Sequence, residues 1–510
     1  MTDNSRIIKN SLILYIRLIV VSVISLITSR YVLQVLGVSD YGLYTIVGGI
    51  VIIMSYLNMV MTTTTYTYVA IEIGRGDLGN VAKVFNISFV IHLALAILVI
   101  IFAFTLGVFY INNYLNVADG KVNDALFVFF FSMLGTVISI ISIPFMGLLV
   151  AKEKFAITVP VEILKSLINL SMILIIMHSN GNRLRLYAIL AAISTSIPPV
   201  LYYIYCRYHF LTIVRWQLQN DKNKYKEMIK HSGWNMIGAG ASIGQAQGSA
   251  LMINSFFGTI VNAGLGIATQ VDAVVKMFTQ SLGQSVVPQI TKSYSSGSID
   301  RTLQLVIYAS KYCFFFMLLP ALPILLETDF ILILWLKVVP TYTNIFIQIM
   351  LVNALISAMS AGMPSVVQAT GKVKYFNIIL GTLLLLSLPI AYVYFKNGFP
   401  PYAILLVYTC TATLSFIVQI FMLRIIINFN IEMYFKKSFL KMMLVLISVL
   451  PLFFIRDFFV PGLLRFISIS TLAEVWLLTA IYCFGIERNE KEILSTYALK
   501  IKQKTSKILA

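Results

Sequence analysis

The amino-acid sequence predicts an all-α protein that crosses a membrane many times. Three observations support this: 59% of the 510 residues are hydrophobic, only 11% are charged, and apolar stretches of twenty or more residues recur from Ser11 to Cys483. A soluble protein carries about 25% charged residues, which it needs to cover its surface. A helix of about 20 apolar residues is long enough to cross a hydrocarbon core of roughly 30 Å.

The predicted spans number fourteen. We place them at residues 11–36, 41–71, 84–112, 123–150, 155–178, 184–206, 232–256, 262–290, 303–327, 340–370, 375–396, 401–427, 438–456 and 461–485. The first apolar run follows Arg6 and Lys9, as in a signal peptide. It continues to Leu36 without a small-residue cleavage site, so we expect it to be retained as the first span.

The basic residues predict the orientation of these spans. Cytoplasmic loops of membrane proteins are enriched in Lys and Arg. With the amino terminus inside, 26 of the 38 Lys and Arg residues fall on the cytoplasmic side, seven on the outer side and five within spans. We therefore expect both termini in the cytoplasm. The net charge of +18 then follows from this rule and from contact with anionic lipids, so a nucleic-acid partner is not expected.

The sequence also predicts an internal duplication. Shifting the chain by 221 residues aligns three pairs of segments at matching places in the span pattern: Lys9–Ser11 with Lys230–Ser232, Leu36–Gly37 with Phe257–Gly258, and Gly76–Leu78 with Gly297–Ile299. Chance matches between two hydrophobic sequences are the alternative. Six spans is an even number, so the second copy enters from the same side as the first and the repeat is parallel.

The predicted organisation has five parts. Two six-span lobes occupy 1–206 and 232–427, and a cytoplasmic linker at 207–231 joins them. Two further spans lie in 428–485, and a basic cytoplasmic tail occupies 486–510. In transporters built from such repeats, one lobe rocks against the other around a site near the membrane midplane. We therefore expect a water-accessible site between the lobes.

Several predicted spans carry a polar face at helical spacing, which is typical of a helix that lines a wet cavity. The fifth span has Glu162, Lys165, Ser166 and Asn169 on one face. Other polar residues lie on the first span (Arg17, Ser25, Thr28, with Arg30 on another face), the second span (Ser55, Asn58, Thr62, Thr65) and the eighth span (Asn262, Thr269, Asp272, Lys276, Thr279, Gln280).

Charge within the spans is biased towards cations. The bases Arg17, Arg30, Lys165, Lys276 and Lys311 lie within predicted spans, and away from the span ends only three carboxylates, Asp272, Glu162 and Glu474, accompany them. Each such base costs about 2.5–3.5 kcal/mol at the centre of an inserted helix. The excess favours an anionic cargo such as the pyrophosphate of a polyprenyl-linked sugar. The alternative is that the Asp272–Lys276 and Glu162–Lys165 pairs are structural, and that Arg17 and Arg30 extend to the interfaces.

Three segments resemble a known family. The segments are Lys9-Asn10-Ser11 before the first span, the turn from Leu36 to Tyr44, and the stretch from Phe256 to Tyr294. Together with the plan of twelve repeated spans plus two, they resemble Wzx-type O-antigen and capsule repeat-unit flippases of the multidrug/oligosaccharidyl-lipid/polysaccharide (MOP) exporter superfamily. The resemblance implies an undecaprenyl-pyrophosphate-linked oligosaccharide as cargo, moved from cytoplasm to periplasm across a bacterial inner membrane. Polysaccharide polymerase and glycosyltransferases would be the partners.

The sequence thus gives a set of candidate site residues. We expect the cargo to contact Arg17, Arg30, Lys165, Lys276, Lys311, Asn58, Thr62, Asn169 and Gln280. Asp272 and Glu162 would tune these bases or couple transport to an ion. The four cysteines have no paired spacing and no accompanying histidine cluster, so we expect no disulfide, metal or other cofactor.

Three other functions are weighed against the flippase. A cation-coupled multidrug exporter of the same fold should place unpaired carboxylates in its cavity. A polysaccharide polymerase or other membrane enzyme would need a sizeable outer loop with acid or base groups, and the predicted outer loops are short, so we expect no enzyme activity. A non-transporting scaffold for glycan assembly is not distinguished by the sequence.

Overall fold

The computed structural model describes the backbone of residues 3–370, 372–487 and 490–492. Side chains are described from Arg17 onward, except at some positions within 57–74 and 278–295 and at 231–237. The helices are α1 (Asp3–Leu36), α2 (Val38–Met54), α3 (Tyr56–Arg75), α4 (Leu78–Phe102), α5 (Val108–Asn113), α6 (Val122–Ala151), α7 (Phe155–Met177), α8 (Arg183–His209), α9 (Leu211–Val214), α10 (Lys222–Ser295), α11 (Ile299–Leu326), α12 (Thr328–Leu336), α13 (Thr343–Met359), α14 (Met363–Thr370), α15 (Val373–Lys396), α16 (Ala403–Ile427), α17 (Ile431–Tyr434), α18 (Leu440–Val449), α19 (Pro451–Ile455) and α20 (Leu463–Ala480).

The chain is an all-helical, multi-pass membrane protein, as predicted. In the described part, 11 helical stretches are long and apolar enough to cross a membrane, or 12 if α13 and α14, which are bent by 46°, form one span. Helix α10 is broken at Gly258 (φ 78°, ψ −173°), so it supplies two of the predicted spans. Helices α2 and α3, which meet at Ser55, supply one more. With α13 and α14 counted as one span, these two additions raise the number of spans in the described part from twelve to the predicted fourteen.

The duplication predicted from the sequence is visible in the backbone. Gly37 (φ 81°, ψ 166°) separates α1 from α2, and its equivalent Gly258 breaks α10 in nearly the same conformation. Gly76 (φ 77°) ends α3, and its equivalent Gly297 (φ 76°) separates α10 from α11. A positive φ is strained for residues with a side chain and free for glycine. The aligned glycines therefore mark the same turns in both copies.

The chain forms two compact units. The first unit contains 1–270, 338–343 and 377–407, and the second contains 271–337, 344–376 and 408–510. In the first unit α6 packs against α2, α3, α4 and α8, and α1 packs along α7. Its core includes Val47, Val128, Phe129 and Leu184, which are fully buried. The predicted lobes at 1–206 and 232–427 are a division by sequence repeat, and they stay a prediction.

Within the first unit, residues that the duplication makes equivalent touch each other. The Ser39 hydroxyl lies 3.3 Å from the hydroxyl of Thr259, which is one residue before the counterpart of Ser39 at the shift of 221. The Cβ position of Gly42 lies 3.3 Å from the backbone nitrogen of Ala263, 221 positions later. Equivalent residues in mutual contact are the mark of a two-fold axis. A local pseudo-two-fold axis therefore passes between α2 and the start of the second half of α10.

In the second unit the last two spans are tied to α11. Helix α11 packs against α18 and α20, around fully buried side chains such as Phe314. The Arg456 guanidinium donates to the Leu326 carbonyl (2.6 Å), and Arg465 forms a 2.8 Å ion pair with the completely buried Glu327. These polar contacts fix the end of α11 to the connection between α19 and α20.

Candidate substrate cavity

A polar cavity of about 330 Å³ lies within the first unit. Its wall is formed by residues of α1, α2, α7 and α8, together with Gln270 of α10. The lining residues are Val21, Ile24, Ser25, Thr28, Ser29, Val32, Tyr41, Tyr44, Thr45, Glu162, Lys165, Ser166, Asn169, Tyr187 and Gln270. Most of these side chains carry a hydroxyl, an amide or a charge, although all lie on membrane-spanning helices. Polar groups at this depth are costly unless they serve a wet cavity.

The polar face predicted for the fifth span lines this cavity. Glu162, Lys165, Ser166 and Asn169 on α7 all contribute to its wall, because residues spaced by three and four share one side of a helix. The predicted polar residues Ser25 and Thr28 of α1 face the same space. Helical periodicity thus placed six residues from two spans in one wall.

The charged residues of the cavity are not paired with each other. The Tyr202 hydroxyl donates to Glu162 Oε1 at 3.2 Å, and the Arg17 guanidinium acts electrostatically on the same tyrosine. The Lys165 ammonium has neither an ion pair nor a hydrogen bond to any side chain or carbonyl in the described part of the chain. The structural Glu162–Lys165 pair that the spacing allows is therefore not formed. Lys165 has no direct ion pair among the described residues, and it shares the cavity wall with the carboxylate of Glu162.

Another part of the cavity wall is held by neutral hydrogen bonds. Gln270 donates from Nε2 to the Tyr41 hydroxyl (2.9 Å) and accepts at Oε1 from Ser29 (2.6 Å). The rings of Tyr44 and Tyr187 meet edge to face with centroids 4.7 Å apart. These contacts fix the amide and the aromatic rings, so this side of the cavity is a preorganised surface of hydroxyl and amide groups.

Other candidates lie away from this cavity. In the second unit, Lys276 and Asp272 form the ion pair that their spacing allows, at 2.6 Å, while Asp272 Oδ1 is buried without a hydrogen bond. In the second span, Thr62 donates to the Asn58 carbonyl of its own helix (2.8 Å), and Asn58 Oδ1 is buried without a hydrogen bond. The guanidinium of Arg30 lies 5.8 Å from the centroid of the Tyr31 ring. The side chain of Gln280 lies outside the described residues.

The structure corrects the charge count at Lys311. This lysine was counted among the bases in excess, but it is completely buried and forms a 2.7 Å ion pair with Glu490. The sequence placed Glu490 in the tail after the last span, and no local spacing links it to a residue 179 positions earlier. The excess of intramembrane cations is therefore smaller by one than the sequence indicated.

Seven polar residues at the cavity were not predicted from the sequence. Six of them line it, namely Ser29, Tyr41, Tyr44, Thr45, Tyr187 and Gln270, and the seventh, Tyr202, donates to Glu162. Gln270 lies two residues before Asp272, on a different side of the helix from the polar face identified there. Tyrosines are common in membrane helices, where they mostly mark the interfaces. A search for tyrosine and glutamine near the duplicated glycine turns would have found Tyr41 and Gln270.

Comparison with known proteins identifies the architecture. An inward-facing MATE-family multidrug resistance transporter of the MOP superfamily matches 80% of this chain and 94% of its own length, with a TM-score of 0.67 and 14% identity. The MATE multidrug transporter DinF-BH in complex with R6G matches 84% of this chain and 98% of its own, with a TM-score of 0.64 and 15% identity. This chain has the MOP-superfamily transporter fold. Identities this low show the fold alone.

A third similar structure is a MOP-superfamily transporter from Pyrococcus furiosus. It matches 82% of this chain and 96% of its own, with a TM-score of 0.59 and 15% identity. Its binding pocket is described as having reverse polarity that suggests a different function. No protein-family model and no curated protein sequence matches the chain. The chain thus shares the fold of MOP-superfamily transporters, and any proposal about its function and cargo must rest on the chemistry of the cavity.

Proposed function

We propose that this protein is a flippase that moves an undecaprenyl-pyrophosphate-linked oligosaccharide repeat unit from the cytoplasmic to the periplasmic leaflet by alternating access. It would serve surface polysaccharide synthesis, O-antigen or capsule, in a bacterial inner membrane with both termini in the cytoplasm. Glycosyltransferases and a polymerase would act before and after it, and anionic lipids would contact its basic loops. The fold supports transport, and the observation that carries the cargo class is Lys165, which lines the polar cavity without a direct ion pair among the described residues.

The charge of the cavity supports an anionic head group. A lysine without an ion pair at the centre of a span raises the free energy of membrane insertion by about 2.5–3.5 kcal/mol. Packing of the helices does not offset this cost. A diphosphate would offset that cost through charge-assisted hydrogen bonds to Lys165, and Arg17 acts electrostatically on Tyr202, the partner of Glu162. Glu162 would limit this attraction so that the cargo can leave.

The neutral side of the cavity supports a sugar. Carbohydrates are bound by hydroxyl and amide hydrogen bonds and by aromatic rings, and Gln270, Tyr41, Tyr44 and Tyr187 supply these groups. At about 330 Å³ the cavity is at the lower end of the roughly 300–1,000 Å³ range of ligand pockets. It would therefore hold a polar head group, while the apolar polyprenyl chain stays in the bilayer.

A flipping assay tests this proposal. Purified protein is reconstituted in liposomes that contain a fluorescent undecaprenyl-pyrophosphate-linked sugar, and a membrane-impermeant glycosidase reports how fast the inner-leaflet pool becomes accessible. We expect wild type and Lys165→Arg to accelerate exposure and Lys165→Ala to lose most of the acceleration, about tenfold or more for one charge-assisted contact. The matched control is Lys154→Ala, since Lys154 is exposed just before the same helix. Undiminished flipping by Lys165→Ala would remove this residue from the mechanism.

The alternative is a cation-coupled multidrug exporter. Its support is the structural similarity to MATE multidrug transporters and the presence of Glu162 in the cavity wall. The same liposomes discriminate the two functions when they are loaded with a cationic dye instead of the lipid. Gradient-driven dye export that is lost in Glu162→Gln, without flipping of the lipid-linked sugar, would replace the flippase by the exporter. Activity in neither assay would favour the scaffold.

A further inference from the structure

A second polar site lies in the second unit, on α11. The side chain of Lys311 has no solvent exposure, and its ammonium lies 2.7 Å from both carboxylate oxygens of Glu490. Glu490 belongs to the short segment that follows the last span and is itself 9% exposed. The chain thus places one of its own carboxylates inside a membrane helix bundle.

The Glu490 carboxylate is surrounded by donors, as a bound anion would be. Besides the two contacts with Lys311, Oε1 accepts from the Tyr312 hydroxyl at 3.0 Å, and Oε2 accepts from the backbone N–H of Glu487 at 2.6 Å. The rings of Tyr308 and Tyr312 flank the ammonium, with centroids 5.5 Å and 5.1 Å away. An ammonium, a phenol and a backbone N–H are the groups that bind carboxylates and phosphates elsewhere.

Stability alone does not account for this arrangement. Replacing a buried ion pair by apolar residues of similar volume is often neutral or stabilising, whereas removing one partner leaves a costly buried charge. Glu490 lies beyond the last span, so its carboxylate can leave Lys311 without breaking any membrane helix. Burial of this ion pair costs free energy, and the pair can separate while the membrane helices stay intact. Another anion could therefore take the place of Glu490 beside Lys311.

We propose that Lys311 and Tyr312 form a phosphate-binding site for which Glu490 is a tethered internal competitor. A phosphate group carries more charge than a carboxylate and has three strong acceptor oxygens, so it can use the same donors and replace the carboxylate. A short tether gives Glu490 an effective concentration in the millimolar range, which keeps weak or dilute anions out. The site lies in the second unit and does not depend on which cargo occupies the cavity of the first unit.

Chemical rescue tests whether the site binds an anion. The Glu490→Ala protein in detergent should unfold at a lower temperature than wild type, because Lys311 is left unpaired. Inorganic phosphate should raise its unfolding temperature at concentrations where chloride of equal ionic strength does not. The Lys311→Met/Glu490→Ala protein should unfold near the wild-type temperature and show no phosphate effect. Glu432→Ala is the matched control, since Glu432 is exposed. An equal phosphate effect on all variants, or none on Glu490→Ala, would overturn the site.

Displacement of the tail in the wild-type protein tests competition. Lys491 follows Glu490 directly, so trypsin cleavage after Lys491 measures release of the segment. A ligand at ten times its apparent dissociation constant, measured with Glu490 present, should lower the docked fraction about tenfold. Free pyrophosphate is compared with vesicles that contain undecaprenyl phosphate or phosphatidylglycerol, which distinguishes a soluble phosphate from a lipid head group. Unchanged cleavage with every ligand would rule out the competitor role of Glu490.

Discussion

Gly42 gives the sharpest prediction about packing. In the first unit, a Cβ atom on Gly42 would lie 1.8 Å from the backbone oxygen of Thr259, whereas real Cβ atoms essentially never approach closer than 3.0 Å. Gly42→Ala must therefore separate the two helices by at least 1.2 Å, the difference between these distances. The clash is with backbone, so no side chain can turn aside to relieve it.

The magnitude follows from overpacking and helix propensity. Forcing an extra carbon into a packed core costs about 1–3 kcal/mol, and a backbone clash of this size belongs at the upper end or above. Gly48 lies on the same helix with nothing within 4 Å of its Cβ position. Gly48→Ala should therefore gain up to about 1 kcal/mol from helix propensity.

The two alanine variants form a matched pair. Both are purified in the same detergent, and the free energy of unfolding is measured by titration with a denaturing detergent while tryptophan fluorescence is followed. We expect Gly42→Ala to be less stable than wild type by at least about 2 kcal/mol and Gly48→Ala to be as stable or more stable. Equal stability of the two variants would refute the close approach of Gly42 to Thr259.

Two further predictions concern charge. Glu327→Ala leaves the largely buried Arg465 without its partner and should lower the free energy of unfolding by about 3–5 kcal/mol. The double variant Glu327→Leu/Arg465→Met removes both charges and should recover most of that loss. A double variant as unstable as the single one would contradict this reasoning. Near the linker, the hydrogen bond from Lys83 lowers the pKa of Asp221, so their contact stabilises the folded chain above the unfolded pKa of about 3.9 and is lost as pH falls through the lower folded pKa. Proteolysis of 215–230 should therefore rise below about pH 4 in wild type. The rise should be smaller in Lys83→Ala, where only the backbone hydrogen bonds to Asp221 remain.

The span pattern and the duplication could be predicted because the membrane constrains sequence strongly. Every backbone polar group in a bilayer must be satisfied within its own helix, so spans appear as long apolar runs. A turn with positive φ favours glycine in both copies, which made Gly37 and Gly258 recognisable without a structure. The cavity wall on α7 could be predicted for the same reason, since periodicity alone places Glu162 and Asn169 on one side.

Contacts between distant segments could not be predicted. The ion pair of Lys311 with Glu490 joins residues 179 positions apart, and nothing in either local sequence specifies the other. The Gln270–Tyr41 hydrogen bond spans 229 positions in the same way. Spacing along a helix also allowed a Glu162–Lys165 pair that the side chains do not form, because Glu162 instead accepts a hydrogen bond from Tyr202.

The close approach of Gly42 to its counterpart Ala263 has a consequence for the ancestry of the chain. A residue that touches its own counterpart today would, in a half-length ancestor, have touched the identical residue of a second molecule. Fusion of two such genes turns a homodimer contact into an internal one and frees the two sides to diverge, and the two positions now hold different residues, glycine and alanine. An expressed half-chain beginning at residue 1 would still carry the surface through which its ancestor paired with itself.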